Sequence, residues 1–100
     1  MAHDVLIPPA VAAEIEAIGD WIAKDNPTAA RRMMQRLYRR CRTLDRFPER
    51  GRPYGARYRA LDEGPYVIVY RIEPEDRRVI IVAVLHAARD IRRILGIADE

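Results

Sequence analysis

The sequence predicts an α+β domain, with a short N-terminal strand, an antiparallel two-helix hairpin, three antiparallel strands and a short C-terminal helical segment. Two stretches, 9–22 and 27–47, repeat apolar residues at the spacing of one helix face, and a proline opens each. Two later stretches, 66–72 and 78–85, are rich in Val, Ile and Tyr and flank a short acidic turn. Helices followed by a run of strands indicate the α+β class.

The composition is typical of a soluble globular protein. Hydrophobic residues make up 49% and charged residues 33%, so we expect no extensive disorder. One hundred residues allow one domain, spanning 1–100, with one modest core. No apolar run approaches the roughly 20 residues of a membrane span and no secretory signal is visible, so we expect a cytoplasmic protein. The lone Cys41 and two distant histidines suggest no disulfide, metal or cofactor.

The first part of the chain should hold one strand and one helix. Residues 3–7 are predicted as a short strand that ends at Pro8-Pro9, and Pro9 suits the first turn of a helix because its φ is preset. The apolar stripe of this helix consists of Val11, Ile15, Ile18 and Ile22. Three acids are predicted to lie largely off that stripe: Glu14, Glu16 and Asp20.

The second helix should begin at Pro27, with Asn26 as its N-cap, and run to about Phe47. Its apolar stripe is formed by Ala30, Met33, Met34, Leu37, Cys41 and Leu44. Because almost nothing joins the two helices, they should pack antiparallel as a hairpin. Core positions are predicted for Trp21, Met33, Met34 and Cys41. The following residues 47–55, rich in Pro and Gly, are predicted as a loop.

Three antiparallel strands are predicted at about 57–61, 66–72 and 78–85, joined by short turns. The last strand is apolar on both faces, which indicates a central strand covered on both sides. Residues 87–95 can form a final helical turn, and the chain should fray from Gly96 onward.

Positive charge is concentrated in the middle of the chain. The net charge is −4 over residues 1–26, +9 over 27–59 and −2 over 60–100, which together give the +3 of the whole chain. A basic segment can attract nucleic acid or an acidic protein partner. An equally good interpretation is internal, since an acidic first helix and a basic second helix complement each other in a hairpin. Direct binding of nucleic acid is therefore left open.

A lone histidine and an Arg-Asp pair stand at the end of the last predicted strand. Side chains on a rigid scaffold at such a strand end can meet a partner or a substrate. Histidine exchanges protons near neutral pH, so His86 is a weak catalytic candidate. The structural alternative is that His86 buttresses the C-terminal segment while Arg89 and Asp90 pair with each other.

Four signatures, in matching order and spacing, resemble the ParE/RelE superfamily of type II toxin–antitoxin toxins, and its ParE branch most closely. They lie at 25–27, 47–53, 64–71 and 84–90. The resemblance covers roughly residues 3–95 and implies the RelE-like fold. RelE-like members cut mRNA on the ribosome, whereas ParE-like members are understood to inhibit DNA gyrase by binding it. The resemblance implies a bacterial toxin of the plasmid-stabilisation kind, neutralised by a ParD-like antitoxin.

The sequence lacks part of the set of side chains that the nuclease branch uses. Metal-free RNA cleavage needs a base, an acid and cations on the phosphate. Val67 stands where RelE-like nucleases tend to place an arginine, residues 57–61 contain no lysine, and Ile91 and Ala87 occupy positions at which some members carry tyrosine. The resemblance therefore favours a gyrase inhibitor without catalysis. The alternatives are a ribosome-dependent mRNA endonuclease that uses His86, and a non-toxic homologue that only binds antitoxin.

Two sets of site residues follow from the resemblance. Target binding is assigned to Arg57, Arg59, Arg71, His86, Arg89 and Arg93. Antitoxin binding is assigned to Trp21, Met34, Tyr38, Tyr66 and Tyr70. The antitoxin is expected to lay an amphipathic helix over the helical hairpin or the sheet edge, and to be acidic where it meets the basic segment.

Overall fold

Two helices pack on one face of a five-stranded sheet in the computed structural model, which describes residues 2–97. The elements are β1 (Asp4–Leu6), α1 (Pro9–Ala23), α2 (Pro27–Arg42), β2 (Arg52–Tyr54), β3 (Tyr58–Glu63), β4 (Tyr66–Glu73), β5 (Arg78–His86) and α3 (Ile91–Ile94). The strand order is β1-β5-β4-β3-β2, with β1 parallel to β5 and the pairs from β2 to β5 antiparallel. The predicted α+β class is confirmed, and the predicted elements occur in the predicted order with one further strand, β2.

Both main helices begin at the predicted prolines, but α2 ends earlier than predicted. The Asn26 side chain caps α2 by accepting a hydrogen bond from the Ala29 N–H at 3.0 Å. The helix stops at Arg42 instead of Phe47, and a 3-10 turn follows. In that turn Leu44 is fully buried. The tighter turn redirects the chain while keeping this leucine in the core, so apolar periodicity overestimated the helix length.

Strand β2 was not predicted, because its sequence contains a proline and lies in a Pro- and Gly-rich segment. Arg52 pairs with Ala60 and Tyr54 with Tyr58, in antiparallel register with β3. Pro53 has no N–H to donate, and such a residue is tolerated in a strand at the edge of a sheet. The prediction of a loop throughout 47–55 is therefore wrong for these three positions.

Apolar side chains are buried on both faces of the sheet. On the helix side they are Val11, Ile15, Leu37, Cys41, Leu44, Leu61, Tyr66, Ile68, Tyr70, Val79, Ile81 and Val84. On the opposite side a smaller cluster consists of Ala60, Val67, Val69, Ala83, Leu85 and Ile91. Strand β5 contributes to both clusters, as its two-sided apolar sequence predicted.

Three of the four predicted core residues pack as expected. Cys41 is fully buried, and burial raises the pKa of its thiol to about 12. Met33 and Met34 are partly buried against the helix-side core. The core prediction for Trp21 is wrong, since this residue is 69% exposed. Each residue turns a helix by about 100°, so the core-facing position of Ile22 carries its neighbour Trp21 away from the core.

One irregularity in the β4–β5 ladder decides which side chains face the helices. Val69 of β4 pairs with Ala83 of β5, but the next residue of β4, Tyr70, pairs with Ile81. Val82 is therefore an extra residue on β5, which is a β-bulge. Strand side chains alternate between faces, and an extra residue reverses the alternation. Ile81 faces the helices before this bulge, whereas Val84 and His86 face them after it.

The Tyr70 hydroxyl fastens the loop between α2 and β2. It donates a hydrogen bond to the Pro48 carbonyl at 2.6 Å and accepts one from the Gly51 N–H at 2.9 Å. Arg59 adds bonds to the carbonyls of Gly51 at 2.7 Å and Glu49 at 3.3 Å. A Cβ at Gly51 would lie only 2.5 Å from the Tyr70 oxygen. Glycine is therefore required for this close approach.

The C-terminal segment is held against the sheet. Asp90 caps α3 by accepting a hydrogen bond from the Arg93 N–H at 3.3 Å, and Ile91 is buried against the face opposite the main helices. The N–H groups of Gly96 and Ile97 donate to carbonyls of α3 at 3.2 Å and 2.7 Å. These two residues are thus hydrogen-bonded to α3, and the rest of the segment predicted to fray lies outside the described part of the chain.

We predict that Tyr70→Phe destabilises the fold by about 1–3 kcal/mol, because the Gly51 N–H and the Pro48 carbonyl lose their buried partner. Urea unfolding at neutral pH measures this change. Tyr38→Phe is the matched control, since the Tyr38 hydroxyl makes no hydrogen bond with the described residues and its loss should change stability little. Equal stabilities of the two variants would contradict the fastening role.

Candidate functional site

A groove lies between α1 and the end of β5. Its volume is about 630 Å³ and its lining is mostly apolar. The lining residues are Glu14, Ala17, Ile18, Trp21, Tyr66, Val84, Leu85, His86 and Arg89. Because β1 pairs with Arg78–Ile80, the rest of β5 has no strand of residues 2–97 beside it on this edge. We call this cavity the β5 groove.

The Glu14 carboxylate covers part of the open strand edge. It accepts a hydrogen bond from the Val84 N–H at 3.1 Å, and thereby satisfies a backbone donor that has no neighbouring strand. Burial raises the pKa of Glu14, although the Val84 N–H and the Arg89 charge act in the opposite direction. The prediction that Glu14 lies off the apolar stripe is wrong. Its position three residues after Val11 and four before Ile18 could have revealed this.

His86 supports the start of the C-terminal segment. Its Nδ1 accepts a hydrogen bond from the Ala88 N–H at 2.9 Å, so the neutral ring carries its proton on Nε2. The ring meets Tyr66 edge to face, with centroids 5.5 Å apart. These contacts fit the structural interpretation of His86. The predicted pairing of Arg89 with Asp90 is not formed among the described residues, since Asp90 caps α3 instead.

Trp21 forms an exposed rim of the β5 groove. The Lys24 ammonium lies 4.9 Å from the centroid of its ring, within the range of a cation–π contact. The groove is lined by Trp21, Tyr66 and Arg89. Tryptophan, tyrosine and arginine are the residue types that most often dominate binding energy at protein interfaces. An exposed tryptophan beside a mostly apolar groove marks a surface that a partner can cover.

The sheet face opposite the main helices carries an ion-pair network. Glu73 binds Arg71 and also Arg78, the latter at 2.9 Å. Hydrogen bonds from Arg71 and then Arg78 lower the pKa of Glu73. Arg71 shares its face with Val69, whereas His86 lies on the helix-facing side. The sheet therefore separates these two target-binding candidates.

The other target-binding candidates are dispersed. Arg57 is exposed in the turn between β2 and β3, and Arg93 is exposed on α3. Arg59 binds backbone carbonyls of the loop that Tyr70 fastens. Arg89 lies in the β5 groove beside His86. Of the six residues predicted to bind a target, the fold brings Arg89 and His86 together in this groove.

The antitoxin-binding candidates divide into three environments. Trp21 and Tyr66 line the β5 groove. Met34 and Tyr38 are half-buried on α2, where they pack against the helix-side core and border the arginines of the helix. Tyr70 is fully buried and fastens a loop, so it has no surface to offer a partner.

In the β5 groove, one oxygen of Glu14 and one ring nitrogen of His86 are engaged by the backbone. A general base must lie within hydrogen-bond reach of the proton that it removes. Both the Glu14 carboxylate and the His86 Nδ1 are occupied by backbone N–H groups. Residues 2–97 contain no group of three His, Cys, Asp or Glu side chains that could hold a metal ion. Within the same range no helix has the length and apolarity needed to cross a membrane.

We predict that the Glu14 carboxylate makes stability depend on pH in a defined direction. Since its folded-state pKa is raised, the folded state holds the proton more tightly than the unfolded state, and stability falls as pH rises from about 4.5 through the folded-state pKa. Glu14→Gln removes this contribution. Urea unfolding measures the free energy of unfolding of both proteins. The value for the unmodified protein minus the value for the variant should be lower at neutral pH than at pH about 4. A difference that is constant or rises with pH would contradict this assignment.

Comparison with known proteins identifies the family. Residues 5–91 match the family described as ParE toxin of type II toxin-antitoxin system, parDE. Toxin RelE2 of Caulobacter vibrioides is 44% identical over 78 residues, which are 77% of this chain and 86% of that protein.

Solved structures share the fold. The chromosomal ParDE system of P. aeruginosa superposes with a TM-score of 0.72 at 19% identity, over 85% of this chain and 96% of that one. The RelBE2 toxin–antitoxin complex of Mycobacterium tuberculosis superposes with a TM-score of 0.66 at 23% identity, over 86% and 99% of the two chains. Together with the family match, these similarities confirm the resemblance that the four signatures indicated: the chain belongs to the ParE toxin family and is a type II toxin of the ParE/RelE superfamily.

Proposed function

We propose that this toxin acts by binding DNA gyrase through the β5 groove and that a ParD-like antitoxin neutralises it. The observation that carries the proposal is the composition of the groove, where Trp21, His86 and Arg89 surround a mostly apolar cavity. Such a surface is suited to recognition of a protein partner.

The distribution of charged side chains supports binding over RNA cleavage. Metal-free cleavage needs an acid, a base and phosphate-binding cations around one scissile bond. His86 lies on the helix-facing side of the sheet, whereas Arg71 lies on the other face and is paired with Glu73. Arg59 is engaged by backbone carbonyls. A substrate phosphate beside His86 would therefore meet Arg89 but not these other two arginines.

The groove also supports a simple means of neutralisation. The two antitoxin-binding candidates Trp21 and Tyr66 line the β5 groove. The target-binding candidates His86 and Arg89 line the same groove. An antitoxin segment that covers Trp21 would then occlude the target-binding side chains. Neutralisation would then proceed by direct occlusion of the target-binding side chains.

A second candidate function is ribosome-dependent cleavage of mRNA. It is favoured by the 44% identical relative, which bears the name Toxin RelE2. In this alternative His86 would transfer a proton in the cleavage step. Its hydrogen bond with the Ala88 N–H would first be replaced by one with the substrate.

Two assays distinguish these functions. We predict that the purified toxin inhibits supercoiling by gyrase and leaves a reporter mRNA intact in a translating ribosome extract. Cuts in ribosome-bound mRNA that are abolished by His86→Ala, but persist in the control His3→Ala, would establish the nuclease instead. A folded toxin that binds its antitoxin and is inert in both assays would identify a non-toxic homologue.

We also predict that Trp21→Ala weakens binding of the antitoxin encoded beside this toxin by about 2 kcal/mol or more, roughly 30-fold in Kd. The reason is the loss of an exposed anchor on the groove rim. Phe47→Ala is the matched control, since Phe47 is 66% exposed and lies outside the groove. Isothermal titration calorimetry measures both affinities. Equal losses for the two variants would contradict an antitoxin site at the groove.

A further inference from the structure

The outer side of α2 carries a straight row of polar and cationic side chains. Arg31, Gln35, Arg39 and Arg42 follow one another at steps of four, four and three residues, which places them on one face of the helix over about 16 Å. All four are exposed. None of the three arginines forms an ion pair with any residue in the described part of the chain. We call these four residues the arginine row.

Neighbouring arginines of the same helix behave differently. Arg36 binds the Glu63 carboxylate at 2.6 Å, and Arg40 lies 3.8 Å from it and donates to the Asp62 carbonyl. These two arginines therefore attach α2 to β3. Among residues 2–97 no ion pair joins α2 to the acids of α1, so the charge complementarity predicted for the hairpin is not realised as direct ion pairs. The charges of the arginine row remain available to a partner.

The chemistry of this face fits a polyanion better than a protein. Protein interfaces use single arginines around an apolar centre, whereas interfaces with nucleic acid are polar and much more positively charged, as a row of arginines is. The large exposed hydrophobic residues of the described chain are Leu6, Trp21, Phe47 and Ile94, and α2 contains none of them. Met34 and Tyr38 border the row but are half-buried. The helix α2 also contains no acidic residue that would repel phosphate.

We propose that the arginine row binds the phosphate backbone of duplex DNA. Guanidinium groups pair with phosphate oxygens through two parallel N–H donors, which makes arginine suited to this contact. The row offers no exposed aromatic side chain on which single-stranded bases could stack. The major groove of B-DNA admits an α-helix, whereas that of A-form RNA is too narrow. This binding goes beyond the proposed function, because it needs neither gyrase nor antitoxin.

The test is fluorescence anisotropy with a labelled duplex of about 20 base pairs, over about 50 to 200 mM salt. The triple variant Arg31→Gln/Arg39→Gln/Arg42→Gln should bind at least about tenfold more weakly, with a salt slope that is smaller by about 2 to 3. The matched control is Arg57→Gln/Arg92→Gln/Arg93→Gln. It removes the same charge from the turn between β2 and β3 and from α3, and should bind within about threefold of the unmodified protein.

Several outcomes would overturn the proposal. Equal weakening of the two triple variants would show that net charge, not the row, attracts DNA. Tighter binding of single-stranded DNA or duplex RNA, or binding of poly-glutamate in place of DNA, would assign the row to another partner. Thermal unfolding checks that each variant is folded. If a triple variant is unfolded, the corresponding single variants replace it. Each single substitution in the arginine row should then lower the salt slope by about 1.

Discussion

The extra residue at Val82 is the constraint on which the functional surface depends. Without it, the strict alternation of β5 would turn Val84 and His86 to the face on which Leu85 now packs. His86 could then not meet Tyr66, and the β5 groove would lose one of its walls. A single inserted residue thus converts a buried central strand into one that presents a polar side chain beside the helical hairpin. Bulges of this kind re-aim side chains at the cost of a local disruption of the ladder.

The groove exists because the sheet is unfinished on one edge. The three residues of β1 pair with the beginning of β5 and leave its end uncovered. An open strand edge invites association with another chain, and a charged side chain is one of the means by which proteins limit this. Here the carboxylate of Glu14 takes that role, although burial raises its pKa and opposes its ionisation. The remaining apolar surface, with Trp21 at its rim, is what a partner can cover.

The domain separates two kinds of surface. The β5 groove, formed by α1 and β5, is mostly apolar and bordered by aromatic side chains. The arginine row lies on α2 and is polar and cationic, with three arginines and one glutamine. Glu63 contributes to this separation, because it binds Arg36 and Arg40 and holds these two cations against β3, apart from the arginine row. Partners of different chemistry can therefore be recognised by different elements of one small fold.

The sequence by itself determined where the helices begin, that they form a hairpin, and which family the chain resembles. These features depend on neighbouring residues, since the Asn26 cap, the two prolines and the apolar spacing act within a few turns of chain. The early end of α2, the strand β2 and the exposure of Trp21 depended on packing between distant segments. The environments of the site residues also depended on packing between distant segments. Only the tertiary structure set Arg71 and His86 on opposite faces, buried Tyr70 and brought Glu14 to the edge of β5, because strand register and a bulge are fixed by pairing across the whole sheet.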